Sequence, residues 1–157
     1  MKEIEIINKL SKWLESHFKT SDLLIESEVK LKLDDDMPNY RTDLVVIQSK
    51  SNVIHAFEIK KYVNESSFNS AIWQADSLYG NYKWLVLSNE NFEKIPKKIL
   101  KEKGIGLIVY SSSKDTFKIE LQPNYIDGNI LKYYPLLEKK WYKIIRHGSN
   151  SRTKKKN

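Results

Sequence analysis

The apolar positions change period several times along the chain, and each change marks an element. Over residues 3–19 they fall at Ile4, Ile7, Leu10, Trp13, Leu14 and Phe18. That spacing is close to 3.6 residues and predicts an amphipathic helix. From Leu23 to Leu33 the period drops to two. Ile25, Val29, Leu31 and Leu33 then share one face, and Glu26, Glu28, Lys30 and Lys32 the other, as in a half-buried strand. D-D-D-M-P-N-Y, with Pro38 and Asn39, predicts a turn. Two runs rich in β-branched residues follow, R-T-D-L-V-V-I and V-I-H-A-F-E-I-K, separated by Q-S-K-S-N. They predict a β-hairpin with strands at 43–47 and 53–60. A helix is expected near 66–79, stopped by Gly80, and then a strand at 82–88. A lysine-rich helix over 91–103, firm from about Ile95 because of Pro96, ends at Gly104. An apolar strand at 105–110 and an edge strand at 116–121 follow. A final helix over 128–146 turns Leu131, Tyr134, Leu137, Trp141 and Ile144 or Ile145 inward. The order α-β-β-β-α-β-α-β, with further elements at the C-terminus, predicts an α/β fold with a mixed sheet and helices on both sides. No repeat or linker divides the chain. Residues 1–148 are expected to form one domain, and 149–157 a basic disordered tail.

Chemistry gathers at one end of the predicted hairpin. Asp43 opens its first strand; Glu58 and Lys60 close its second. In an antiparallel pair the start of one strand lies beside the end of the next. Period two also places Glu58 and Lys60 on one face. Two carboxylates and an amine at an open strand end suit a metal ion and a water. The triplet Glu-x-Lys is not specific in itself: Glu28–Lys30, Glu58–Lys60 and Glu138–Lys140 all have it. Only the middle copy ends an apolar strand and follows, across a hairpin, a strand opened by Asp.

Composition narrows the classes. A hydrophobic content of 40%, with four Trp, nine Tyr and five Phe, can supply a core. There is no Cys, which excludes disulfides, thiolate metal sites and iron–sulfur clusters. His17, His55 and His147 are scattered and offer no zinc set, and no Ser-His-Asp order emerges. No phosphate-binding G-x-x-x-x-G-K-[ST] motif occurs. No apolar run approaches the roughly 18 residues of a membrane span. The opening M-K-E-I-E-I-I-N-K-L lacks a signal peptide's apolar core. A soluble, cytoplasmic protein with no membrane partner is expected. The net charge is +7, of which Arg152, Lys154, Lys155 and Lys156 in the tail supply +4. A basic excess suits a polyanion such as nucleic acid.

The residues from Arg41 to Lys60, in this order of elements, resemble the PD-(D/E)xK nuclease superfamily, which includes restriction endonucleases, Holliday-junction resolvases and repair nucleases. The likeness covers roughly residues 3–110 and implies a restriction-endonuclease-like αβββαβ core. The motif's Asp maps onto Asp43, and its (D/E)-x-K onto Glu58-Ile59-Lys60. The Pro that names the motif is Thr42 here. Many members add a Glu on the first helix or strand; Glu28 is the preferred match over Glu26, Glu5 and Glu3. Several branches carry a Gln on the following helix with a Tyr about one turn on, which Gln74 and Tyr79 fit.

The resemblance implies a Mg²⁺- or Mn²⁺-dependent nuclease acting on DNA, in repair, recombination or defence. Asp43, Glu58 and the Ile59 carbonyl would bind the metal, with Glu28 holding it through water or binding a second ion. Lys60 would orient the attacking water, and Gln74 would position a metal-bound water or a phosphate. Lys30, Lys32, Arg41 and Lys61, with the tail's Arg152, Lys154, Lys155 and Lys156, would contact DNA. One site per chain implies a homodimer or two visits for a duplex cut. Two other classes compete with this one: a binding module on the same fold that grips nucleic acid or protein without cutting, and a small structural subunit of a larger complex.

Overall fold

The computed structural model describes residues 2–18, 23–31, 41–48, 51–88 and 95–140. The elements run α1 (Glu3–Phe18), β1 (Leu23–Lys30), β2 (Arg41–Gln48), β3 (Val53–Lys60), α2 (Phe68–Asp76), β4 (Tyr82–Leu87), α3 (Lys97–Lys103), β5 (Gly106–Ser111) and β6 (Thr116–Leu121). The six strands form one sheet in sequence order. β1, β2 and β3 make an antiparallel meander, β3, β4 and β5 run parallel, and β6 returns antiparallel along the edge. The parallel steps follow from the crossovers through α2 and α3. This is the mixed α/β architecture that the hydrophobic pattern predicts.

Helices cover both faces. α1 lies on the face that carries Leu44, Val46, Phe57, Ile59, Trp84, Val86 and Ile108. It buries Ile6, Ile7, Leu10 and Leu14. Ile4 stays 44% exposed, because Ile6 lies nearer the axis of the Ile7–Leu10–Leu14 stripe and takes the inward place. On the other face α2 and α3 pack over Leu85, Leu87, Leu107 and Val109. Beside them Leu131, Tyr134 and Leu137 cover Val45, Ile47 and Ile54.

Three expectations need correction. α2 ends at Asp76 with Ser77 as its cap, before Gly80. Gly80 serves a close approach instead, since a Cβ there would sit 2.9 Å from the Ala56 Cβ. The single helix expected over 128–146 is interrupted. A 3₁₀ turn spans Ile130–Tyr133, Tyr134 is non-helical at φ −123° and ψ 70°, and helix resumes at 135–140. Pro135 explains the break: it lacks an N–H and pushes the preceding residue out of helical geometry. Residues 141–146 of that expectation, Trp141, Ile144 and Ile145 among them, lie outside the described residues. So do the turn at Pro38 and Asn39, the 91–94 stretch before α3, and the 149–157 tail.

The third correction is in β1. Leu23 and Ile25 pack toward α1, whereas Val29 and Leu31 pack on the opposite face with Tyr134. Strict alternation would have kept all of them on one side. Between the two pairs sits Glu28, at φ 51°, and there the strand turns over.

Candidate active site

The antiparallel ladder between β2 and β3 ends at Leu44↔Phe57. Continued by one rung, it would set Asp43 against Glu58. β3 itself runs on, paired with β4 as far as Lys60↔Leu87. The β2 side of β3 is therefore open from Glu58 onward, and a notch forms between the strand ends. The Asp43 carboxylate enters it and accepts the Ile59 backbone N–H at 2.9 Å. A side-chain oxygen here does the work of the missing backbone partner.

Glu58 and Lys60 point to one face of β3, and the Lys60 ammonium lies 3.4 Å from Glu58 Oε1. Burial pushes the Glu58 carboxyl up to about 7; the Asp43 charge adds to this, and Lys60 opposes it. Burial also raises Asp43, against the Ile59 N–H, Lys60 and Arg41, which favour its ionised form. The notch thus holds more negative charge than its one lysine offsets.

The structure separates the candidates for a further carboxylate. Glu3, at the start of α1, is raised by burial and by Asp43, and it accepts the Lys61 backbone N–H. It also acts on Glu58. Glu28, exposed like Glu3, is the weakest of the influences on Asp43. Glu3 therefore couples to more of the site than the preferred Glu28 does. Its signal was an acidic residue in a helix's first turn, which helix capping explains equally well. Glu26 is paired with Lys140 at 2.8 Å. Among the described residues no group of three or more His, Cys, Asp or Glu side chains is arranged to hold a metal ion.

Gln74 lies on the flank of α2. Asp76, two residues on and so about 160° round the helix, bonds Lys83 and Lys103 toward β4 and α3. Gln74 consequently faces the other way, toward the β2 side of β3. Its Oε1 is buried with no hydrogen-bond partner. Tyr79 packs against the Tyr133 ring, with centroids 4.6 Å apart. Thr42, at the motif's Pro position, is fully buried and its hydroxyl meets the Tyr134 hydroxyl at 3.0 Å. Lys30 and Arg41 are cross-strand partners at the same end of the sheet, and both are exposed, as is Lys61. Lys32, Arg152, Lys154, Lys155 and Lys156 lie outside the described residues. His55 sits on the α1 face, away from the site. Its Nδ1 accepts from Trp84 Nε1 at 3.0 Å and its Nε2 meets Gln48 Oε1 at 2.8 Å, while burial pushes its pKa down to about 4.

Fold and site together define a mixed α/β protein whose sheet ends in an acidic notch closed by one lysine. No family model matches the sequence, and no curated protein matches it. In structure the chain is similar to an XisH family protein from Nostoc punctiforme. The TM-score is 0.48 and the identity 11%, over 77% of this chain and 98% of that one. No helix among the described residues is long and apolar enough to cross a membrane.

Proposed function

We propose that the chain is a metal-dependent nuclease that hydrolyses DNA phosphodiester bonds at the notch of Asp43, Glu58 and Lys60. The observation that carries this reading is the fork between β2 and β3. It leaves the Glu58 carboxyl buried beside Asp43, and burial first and the Asp43 charge second push it up to about 7. A donor set of that kind suits a hard cation, which prefers oxygen ligands. The buried, unpartnered Oε1 of Gln74 suits a donor such as an ordered water. Asp43, Glu58 and the Ile59 carbonyl would hold Mg²⁺ or Mn²⁺, with Glu3 beyond them; the cation would lower the pKa of water and polarise the phosphate.

The chain's own groups have separable tasks. Hydrolysis adds a water oxygen to phosphorus, breaks a P–O bond and releases a strand-end hydroxyl; the water gives up a proton and the leaving oxygen gains one. Lys60 holds the attacking water and offsets phosphate charge. Gln74, uncharged, accepts from a water and moves no proton itself. Arg41, Lys30 and Lys61 bind flanking phosphates and fix the register of the strand without reading sequence. One notch per chain makes a duplex cut the work of a dimer or of two visits.

The second reading is a binding module on the same fold. It is favoured by the absence, among the described residues, of a three-carboxylate cluster placed for a metal. A cleavage panel separates the two: single-stranded, nicked, branched and linear duplex DNA and RNA, with Mg²⁺, Mn²⁺ or a chelator. Cation-dependent cutting that Asp43→Asn, Glu58→Gln and Lys60→Ala each abolish, with DNA binding retained, supports the nuclease. Binding without cutting on every substrate supports the module.

A further inference from the structure

Glu28 is a strand residue in a backbone conformation that strands avoid. Its φ of 51° lies in the left-handed region, where a side chain crowds the following carbonyl. The other non-glycine residues with positive φ among the described residues are Asn52 and Asp115. Both of those sit in turns, and both are of the types that tolerate this geometry. Glu28 has neither excuse. We propose that the left-handed backbone of Glu28, and not its carboxylate, positions Asp43 in the notch, so that Glu28 is a positioning residue acting through Asp43. The inference rests on reading Asp43 as a site carboxylate.

The register carries the argument. β1 and β2 pair at Ser27↔Leu44 and at Val29↔Thr42, and the rung between them, Glu28 with Asp43, is missing. Both strands turn over at that rung. On β1, Ile25 packs with the α1 face and Val29 with the opposite one. On β2, Leu44 packs with the α1 face, while Thr42 bonds Tyr134 on the opposite one. A residue between two neighbours that have exchanged faces points along the sheet rather than out of it. For Asp43 that direction leads to β3 and the Ile59 N–H. A regular rung at Glu28 would keep Asp43 in plain alternation, its carboxylate perpendicular to the sheet. The exposed Glu28 side chain has no part in this.

The test compares Glu28→Gly, Glu28→Gln and Glu28→Val. Glycine favours the left-handed backbone, glutamine keeps it without the charge, and a β-branched residue opposes it. The Ile59 amide proton reports the geometry directly by NMR: it is downfield and slow to exchange while Asp43 accepts it, and Asp43→Ala supplies the reference for the broken bond. Expected for Gly and Gln is an unchanged Ile59 amide and Mn²⁺ affinity within about threefold of wild type, and for Val a lost Ile59 signature and at least about tenfold weaker Mn²⁺ binding. Unchanged amides of Leu85 and Ile108 certify the sheet. If the valine variant fails to fold, Glu28→Thr gives the same β-branched comparison with a polar side chain suited to this exposed position. A Val or Thr variant that keeps the Ile59 signature overturns the inference. So do Gly and Gln variants that lose Mn²⁺ affinity about tenfold, because the carboxylate is then a ligand. A wild-type protein that binds no Mn²⁺ sinks the nuclease reading but leaves the Ile59 comparison to decide this one.

Discussion

Replacing Glu58 by glutamine should stabilise the protein at pH 8 while abolishing the proposed cleavage. Burial and the neighbouring Asp43 raise the carboxyl from 4.5 to about 7. The fold therefore binds the Glu58 proton more tightly than the unfolded chain does. Stability from this group is full below pH 4.5, declines as pH rises from there through about 7, and is absent above. A shift of that size corresponds to about 3 kcal/mol. Solvent screening at the open side of the notch reduces it to roughly 1–2 kcal/mol. Glutamine cannot ionise and escapes this loss. It should raise Tm at pH 8 in chelator by roughly 4 °C and leave Tm nearly unchanged at pH 4.5. Burial raises Asp43 and Glu3 in the same direction, so the wild type should lose stability steadily between these limits. Added Mg²⁺ should restore it at pH 8 in the wild type and much less in the variant. Thermal denaturation by circular dichroism at both pH values decides the matter. A variant no more stable than wild type at pH 8, or one whose gain is the same at both pH values, refutes the reasoning.

Asp43→Asn and Lys60→Ala should lower the cleavage rate at least about 100-fold with DNA affinity kept; a nicked-plasmid assay beside gel-shift titrations reads both. Asn81→Ala should destabilise the fold by about 3 kcal/mol in urea. The buried amide accepts the Ile54 N–H at 2.9 Å and donates to the Ile126 and Gly128 carbonyls, so alanine leaves three backbone groups unmatched. An unchanged midpoint would show that water replaces the amide. Arg41→Ala and Lys61→Ala should each reduce the salt slope of duplex binding by about 0.9. Truncation after Asn150 should make that slope shallower as well, and should spare chemistry at saturating substrate. A slope that does not move assigns the phosphate contacts to other residues.

Much of this arrangement was legible from sequence because it rests on local rules. Period two and the Q-S-K-S-N break bring Asp43, Glu58 and Lys60 to one sheet end without knowledge of the rest. The crossovers through α2 and α3 dictate the parallel strands. The turnover at Glu28 was not legible: nothing in E-S-E-V-K-L marks a left-handed residue, and only packing against Tyr134 reveals that Val29 has changed sides. The coupling of Glu3 to the notch depends on where α1 docks, which the helix's own periodicity does not specify. Pro135 was a readable signal, and the apolar spacing around it concealed the break.

The site carboxylates belong to successive strands of one hairpin, whereas the strands that complete the sheet join through helices. Hairpins close in about 1–10 μs, and parallel pairing must wait for the longer loops. Asp43 and Glu58 are thus driven together early, before α2 and the C-terminal segment have excluded water around them. Their repulsion then belongs to the folding barrier as well as to the finished structure. Divalent cations, or the Glu58→Gln change, should lower the climb out of the unfolded ensemble. In a chevron plot the refolding arm would move upward, where a ligand recognised only by the completed fold would lower the unfolding arm instead.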